Sequence, residues 1–173
     1  IQPEQAMPSI RARLTNAFLR RTTKSVWRPD LDIQQVRAHA AKMDARIARK
    51  APPVAVEAVE FAGVKATWFG EPALSAKGTI LYLHGGAWCI HLPGVYRRLA
   101  TKLSELTGMR VLLPDYRLAP EHPFPAAIDD CLAAYRWLLD QGYSERPLSV
   151  AGDSAGGSLA LVTLMRARDL MLP

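Results

Sequence analysis

The sequence predicts an α/β fold, a mostly parallel sheet with helices on both faces, preceded by a helical N-terminal segment. Three observations predict it. From residue 79 onward short apolar runs alternate with helix-length stretches, the order that builds parallel strands joined by crossover helices. The run Thr79-Ile80-Leu81-Tyr82-Leu83 is apolar without alternation, as a strand covered on both faces must be. Two of the runs pass straight into glycine-containing turns, at Gly85-Gly86 and at Gly152, which marks the order strand, tight turn, helix.

Taken in order, residues 9–23 and 29–49 read as two helices. In the second, Leu31, Val36, Ala40, Met43 and Ile47 recur at spacings of three to five residues and form an apolar stripe, with Arg37, Lys42 and Arg46 largely outside it. Phe18 and Trp27 are expected to pack into a core rather than line a substrate entrance. Pro52-Pro53 ends this region, so residues 1–52 and 53–173 are expected as separate segments. Residues 54–60 and 64–69 flank Ala62-Gly63 and read as an antiparallel hairpin. After the strand ending at Leu83 come a helix over about 95–106, the strand Val111-Leu112-Leu113, a helix over about 126–140 and the strand Leu148-Ser149-Val150-Ala151. Asp129 and Asp130 fall in the first turn of their helix, where negative charge complements the dipole, and Gly142 marks its end. A last helix begins near Ser158.

Charge is unevenly spread. Residues 1–50 hold eleven Lys and Arg against four acids, and residues 51–173 eleven against twelve, so the excess of +6 resides in the leading segment. That segment has neither zinc-finger spacing nor an aromatic-basic platform, so it reads as a solvated helical face and not as a nucleic-acid surface. No apolar stretch approaches the roughly 20 residues that span a bilayer, so stable membrane insertion is not expected. Two cysteines, Cys89 and Cys131, give no disulfide framework and read as buried small hydrophobes. A cytoplasmic location is the resulting expectation.

The chemistry is carried by two motifs. Gly152-Asp153-Ser154-Ala155-Gly156 lies between an apolar run and a helix, the setting in which Gly-x-Ser-x-Gly forms a nucleophile elbow. A serine hydroxyl is a poor nucleophile at neutral pH and must be presented uncovered, close to a base. Gly152 and Gly156 lie two residues either side of Ser154, where a Cβ would collide as the backbone turns. The helix start aims free N–H groups at the serine, and the N–H of Ala155 is the expected donor to an oxyanion. The second motif, His84-Gly85-Gly86-Ala87-Trp88, follows a buried strand and leaves glycine N–H groups open to a ligand. Gly85 and Gly86 are the other expected donors. His84 is expected to fix the loop through its hydrogen bonds, with Asp153 supporting the elbow.

Together with Asp115-Tyr116-Arg117-Leu118-Ala119-Pro120-Glu121-His122-Pro123-Phe124-Pro125-Ala126, these blocks resemble the signature blocks of the hormone-sensitive-lipase-like, bacterial family IV type, carboxylesterases of the α/β-hydrolase fold. The resemblance runs from about Val54 to the end and departs at Ala87, where the family more often has a third glycine. It implies hydrolysis of short- to medium-chain carboxylic esters through an acyl-serine on Ser154. It implies cap helices in residues 1–52, a small-molecule ester as partner, and no cofactor or metal. A homodimer is compatible with it. In the proline-rich block, Arg117, Glu121 and His122 are expected to brace the loop against the oxyanion strand.

In this fold the triad runs Ser, Asp or Glu, His along the chain. Here all four histidines, His39, His84, His91 and His122, precede Ser154, and Asp169 is the one acid after it. The reading is therefore that the triad acid and histidine belong to a C-terminal portion absent from this chain, that the sheet is incomplete on that side, and that the chain alone is inactive. A receptor-like ligand-binding protein on the same fold and an amidase or peptidase remain open at this point.

Overall fold

The computed structural model describes residues 9–22, 32–48 and 55–173. Trp27 and Leu31 lie outside them. By packing, the chain divides into two compact units, Ile1–His39 and Ala40–Pro173. Helix α1, Ile10–Thr22, starts at Ser9, whose Oγ accepts the Ala12 N–H at 3.2 Å. Helix α2, Ile33–Ala48, is capped by Asp32, which accepts the Gln34 N–H on its side chain at 2.9 Å. Val36 is buried, whereas Met43 and Phe18 are exposed, at 53% and 65%. Phe18 is thus a surface side chain, contrary to the packing role expected of it.

The second unit is built on five strands: β1 (Val56–Phe61), β2 (Val64–Phe69), β3 (Thr79–Leu83), β4 (Arg110–Pro114) and β5 (Leu148–Gly152). Their order across the sheet is β1-β2-β4-β3-β5. The β1–β2 hairpin is antiparallel and pairs antiparallel to β4 through β2. The β4, β3 and β5 strands are parallel. The sheet is therefore mixed, and the two glycine-bearing turns leave its parallel half.

Three helices cover this sheet: α3 (Pro93–Thr107), α4 (Ala126–Asp140) and α5 (Ala155–Asp169). Because strand side chains alternate between faces, β3 serves two cores. Ile80 and Tyr82 pack with Tyr96 and Ala100 of α3. Leu81 and Leu83 pack on the opposite face with Ala134, Leu138 and Leu159 of α4 and α5. Leu81, Leu83 and Leu112 are fully buried, each contributing about 1.5–3 kcal/mol of transfer free energy. The α3 helix begins two residues earlier than the sequence suggests, because Asp44 supplies acceptors for its start. The Asp44 carboxylate accepts the N–H groups of Gly94 and Val95, both at 2.8 Å, and is itself buried. At the opposite margin β5 is the outermost strand, and Leu161 and Met165 of α5 are exposed, at 62% and 46%.

Candidate active site

The C-terminal ends of β3 and β5 are neighbours, with Leu83 paired to Gly152. The loops that follow these two strands therefore start side by side. A Cβ on Gly152 would overlap the carbonyl of Gly156, and one on Gly156 would overlap the Leu83 carbonyl oxygen. Only hydrogen at these two positions lets the first turn of α5 ride on the end of β3. Between them Ser154 sits at φ 51°, ψ −121°, a conformation that L residues rarely adopt and that the flanking strand and helix enforce. Its side chain is exposed. The N–H groups of Gly156 and Gly157 turn back to the carbonyls of Asp153 and Ser154 at 2.8 and 3.1 Å. The N–H of Ala155, first residue of α5, donates to no protein oxygen among the described residues.

The loop after β3 carries three successive left-handed residues, Gly86, Ala87 and Trp88, at φ 132°, 53° and 58°. The Gly86 carbonyl accepts the N–H groups of Cys89 and Ile90 at 3.0 and 2.9 Å, which closes the loop into a tight turn. A Cβ on Gly86 would overlap the Ile90 carbonyl. The N–H groups of Gly86 and Ala87 have no protein acceptor among the described residues. Gly85 differs from the expectation. Its N–H donates to Tyr96 Oη at 2.8 Å and to Asp153 Oδ1 at 3.1 Å, so it is committed inside the protein and is not a free donor. The sequence could not show this, because both acceptors arrive from distant segments.

His84 is completely buried and bonds the loop. Its Nδ1 lies 2.8 Å from the Gly85 carbonyl, and its ring stacks against Tyr116 at 4.1 Å and His91 at 4.4 Å. Burial pushes its pKa down to about 4, so the ring is neutral near pH 7. Tyr116 donates its hydroxyl to the His84 carbonyl at 2.5 Å. His91 Nδ1 is 3.0 Å from Asp115 Oδ1, and this bond holds the Asp115 carboxyl below its ordinary range. Ligand atoms of His84, His91 and Asp115 lie within 4.8 Å of one another, a grouping that no sequence spacing signals. The imidazole planes are only 14° apart and stacked, so their in-plane lone pairs run side by side instead of converging on one ion.

The proline-rich segment braces the site by other means than those expected. The backbone N–H and guanidinium of Arg117 donate to the buried Asp130 at 2.7–3.0 Å. Asp130 therefore anchors this loop to α4 instead of complementing the helix dipole. The tie to the oxyanion loop is a backbone bond, Ala119 N–H to the Trp88 carbonyl at 2.9 Å. His122 is exposed and, with Ala87, Trp88, Cys89, Phe124 and Ile128, lines a pocket of about 410 Å³. Cys131 is buried as expected, but Cys89 is only half-buried. A larger hollow, about 630 Å³, runs along β1, β2 and the start of α3 and has neither Ser154 nor Gly86 in its lining.

A strained serine at a strand-to-helix turn beside a glycine loop from the adjacent parallel strand defines the α/β-hydrolase class. Comparison with known proteins agrees: the family model described as alpha/beta hydrolase fold matches residues 80–173, and the chain belongs to that family. It is 45% identical over 102 residues to an acetyl-hydrolase of Streptomyces hygroscopicus, covering 59% of this chain and 34% of that protein. It is 38% identical over 130 residues to esterase LipU of Mycobacterium tuberculosis, covering 75% of this chain and 42% of that protein. Among solved structures it is similar to an esterase/lipase from an uncultured bacterium, with TM-score 0.79 and 40% identity over 96% of this chain and 55% of that one. An esterase from the bacterial hormone-sensitive lipase family matches with TM-score 0.75 and 33% identity, over 93% of this chain and 52% of that one. The chain thus spans about a third of the length of the curated relatives and about half that of the solved ones. No helix among the described residues is long and apolar enough to cross a membrane.

Proposed function

We propose that the protein to which this chain belongs hydrolyses carboxylic esters, with Ser154 as nucleophile. The observation that carries the reading is Ser154 in its left-handed elbow at the end of β5, whose neighbour strand β3 leads into a loop where the Gly86 and Ala87 N–H groups, like that of Ala155, have no protein acceptor among the described residues. Ser154 Oγ attacks the ester carbonyl and its proton passes to a base. The carbonyl oxygen becomes an oxyanion held by those N–H groups, and the alcohol leaves with the proton. Water then cleaves the acyl-serine by the same route in reverse. The donor set differs from the sequence expectation by the replacement of Gly85 with Ala87, whose role runs through its backbone.

Within the Ala40–Pro173 unit no histidine nitrogen hydrogen-bonds Ser154 among the described residues. His84 is buried and neutral, and His91 bonds Asp115 through Nδ1 with no bond from either ring to Ser154 among the described residues. The base and its acid partner are assigned to the portion of the relatives that this chain does not span, and the chain alone is expected to be inactive. Short acyl groups are supported by similarity to an ethyl acetate hydrolase of Pseudomonas putida, 41% identical over 110 residues, covering 60% of this chain and 34% of that protein. The pocket under Ala87 and Trp88 offers an apolar surface for such a group.

The test is Ser154→Ala in the full-length protein with a series of p-nitrophenyl esters. Turnover is expected to fall by about 10⁴-fold or more, with acetate to hexanoate preferred by the wild type. Retained turnover refutes the nucleophile. Faster cleavage of matched anilides than of esters would make the protein an amidase.

A further inference from the structure

We propose that Asp153 and Tyr96 form a positioning pair that sets the oxyanion loop against the elbow and thereby fixes where the N–H groups of Gly86 and Ala87 stand relative to Ser154. The inference rests on the assignment of Ser154 above. Asp153 is the residue immediately before the serine, so its carboxylate moves with the elbow. That carboxylate reaches across to the neighbouring strand and its loop. Oδ1 accepts the Gly85 N–H and the Tyr82 hydroxyl, both at 3.1 Å. Oδ2 accepts the Tyr96 hydroxyl at 3.0 Å. Tyr96 Oη in turn accepts the Gly85 N–H at 2.8 Å. The residue just before the two free donors is therefore held by two acceptors, one from the elbow and one from α3.

The pair needs both oxygens to be acceptors. An asparagine in place of Asp153 presents a single acceptor oxygen. Oriented toward Gly85 and Tyr82, its NH2 faces a Tyr96 hydroxyl that has lost its acceptor. Flipped, it leaves Gly85 and Tyr82 facing a donor. Both phenols remain donors across the working range, since burial and the Asp153 charge push Tyr96 up to about 12 and Tyr82 higher still. The carboxylate serves only as an acceptor here, with no proton transferred to substrate. Tyr96 and Tyr82 are themselves buried at 6% and 7% exposure, so their hydroxyls depend on the Asp153 carboxylate that reaches them from the exposed elbow.

The experiment compares Asp153→Asn, Tyr96→Phe and the double variant in the full-length protein, using a p-nitrophenyl ester and a reversible boronic acid that forms a tetrahedral adduct on serine. Each single variant is expected to lower kcat by about 10- to 100-fold, less than the loss seen on deleting an oxyanion donor outright. KM is expected to change by less than about threefold. Boronate affinity should weaken by the factor lost from kcat/KM, a readout that a merely structural role would not move. The double variant should lose little more than the worse single variant, because the Asp153–Tyr96 bond makes the two acceptors of the Gly85 N–H a single unit that either substitution breaks. Unchanged kcat in folded Asp153→Asn protein, or losses that multiply in the double variant, overturn the proposal. If Asp153→Asn does not fold, Tyr96→Phe, which removes one hydroxyl, decides on the same criteria. Failure here with Ser154→Ala still inactive refutes the positioning pair alone, whereas an active Ser154→Ala protein refutes the nucleophile.

Discussion

Acidification should destabilise the fold through His84, in a pH window that its neighbours set. The ring has no exposed surface and is packed between Tyr116 and His91, and burial lowers its pKa from 6.5 to about 4. In the unfolded chain the same imidazole takes up a proton below about pH 6.5. Between those values the unfolded state binds more protons than the native one, so stability rises with pH across the window. The contribution is fully present above the unfolded pKa and is lost as pH falls toward about 4. At about 1.4 kcal/mol per pH unit the interval corresponds to about 3 kcal/mol. The assay is urea unfolding of the full-length protein at intervals from about pH 7 to about pH 4.5, against His84→Asn, which keeps a polar atom near the Gly85 carbonyl but does not titrate. The variant will be less stable throughout, because stacking and packing are lost. The decisive quantity is the wild-type minus variant difference, which should shrink by about 2–3 kcal/mol over that range. A difference that stays constant refutes the reasoning, since the imidazole would then be accessible to protons in the folded state. Asp115 contributes separately and at lower pH. Its carboxyl is held below its ordinary range by His91, so its share is present above that range and lost only as pH falls through it.

Two further perturbations probe the frame of the site. Asp44→Ala removes the acceptor for two N–H groups at the start of α3. It should cost about 1–2 kcal/mol in chemical denaturation, and an unchanged midpoint would mean that water replaces the carboxylate. Gly156→Ala places a methyl group against the Leu83 carbonyl. It should destabilise by about 1–3 kcal/mol and depress esterase turnover by separating elbow from oxyanion loop. Wild-type stability and turnover in that variant would show that α5 can shift away from β3 without consequence.

The parallel core was legible because its signal is local. An unbroken apolar run such as Thr79–Leu83 reports burial on both faces, and glycines at fixed offsets from Ser154 report a turn too tight for a Cβ. The hairpin was legible for the same reason, through Ala62-Gly63 between alternating strands. What escaped is set by contacts between distant segments. The antiparallel pairing of β2 with β4 leaves no trace in either strand's own pattern. Tyr82, Tyr96 and Tyr116 look like ordinary core aromatics in sequence, and only the fold brings their hydroxyls to Asp153 and His84. The assignment of Gly85 as a donor failed on that ground: a glycine advertises an accessible N–H, but not whether a tyrosine from α3 has already claimed it. Asp130 was misread because a position in the first turn of a helix says nothing about a guanidinium arriving from the preceding loop.

The rung that joins Leu83 to Gly152 has a consequence for how such a protein can diversify. The spacing between the turn that holds Ser154 and the glycine loop after β3 is inherited from the interval between adjacent strands, about 4.8 Å in any sheet, and so depends on peptide geometry more than on particular side chains. The lining around Trp88 and Phe124 can then change in size and shape while that yardstick keeps its length.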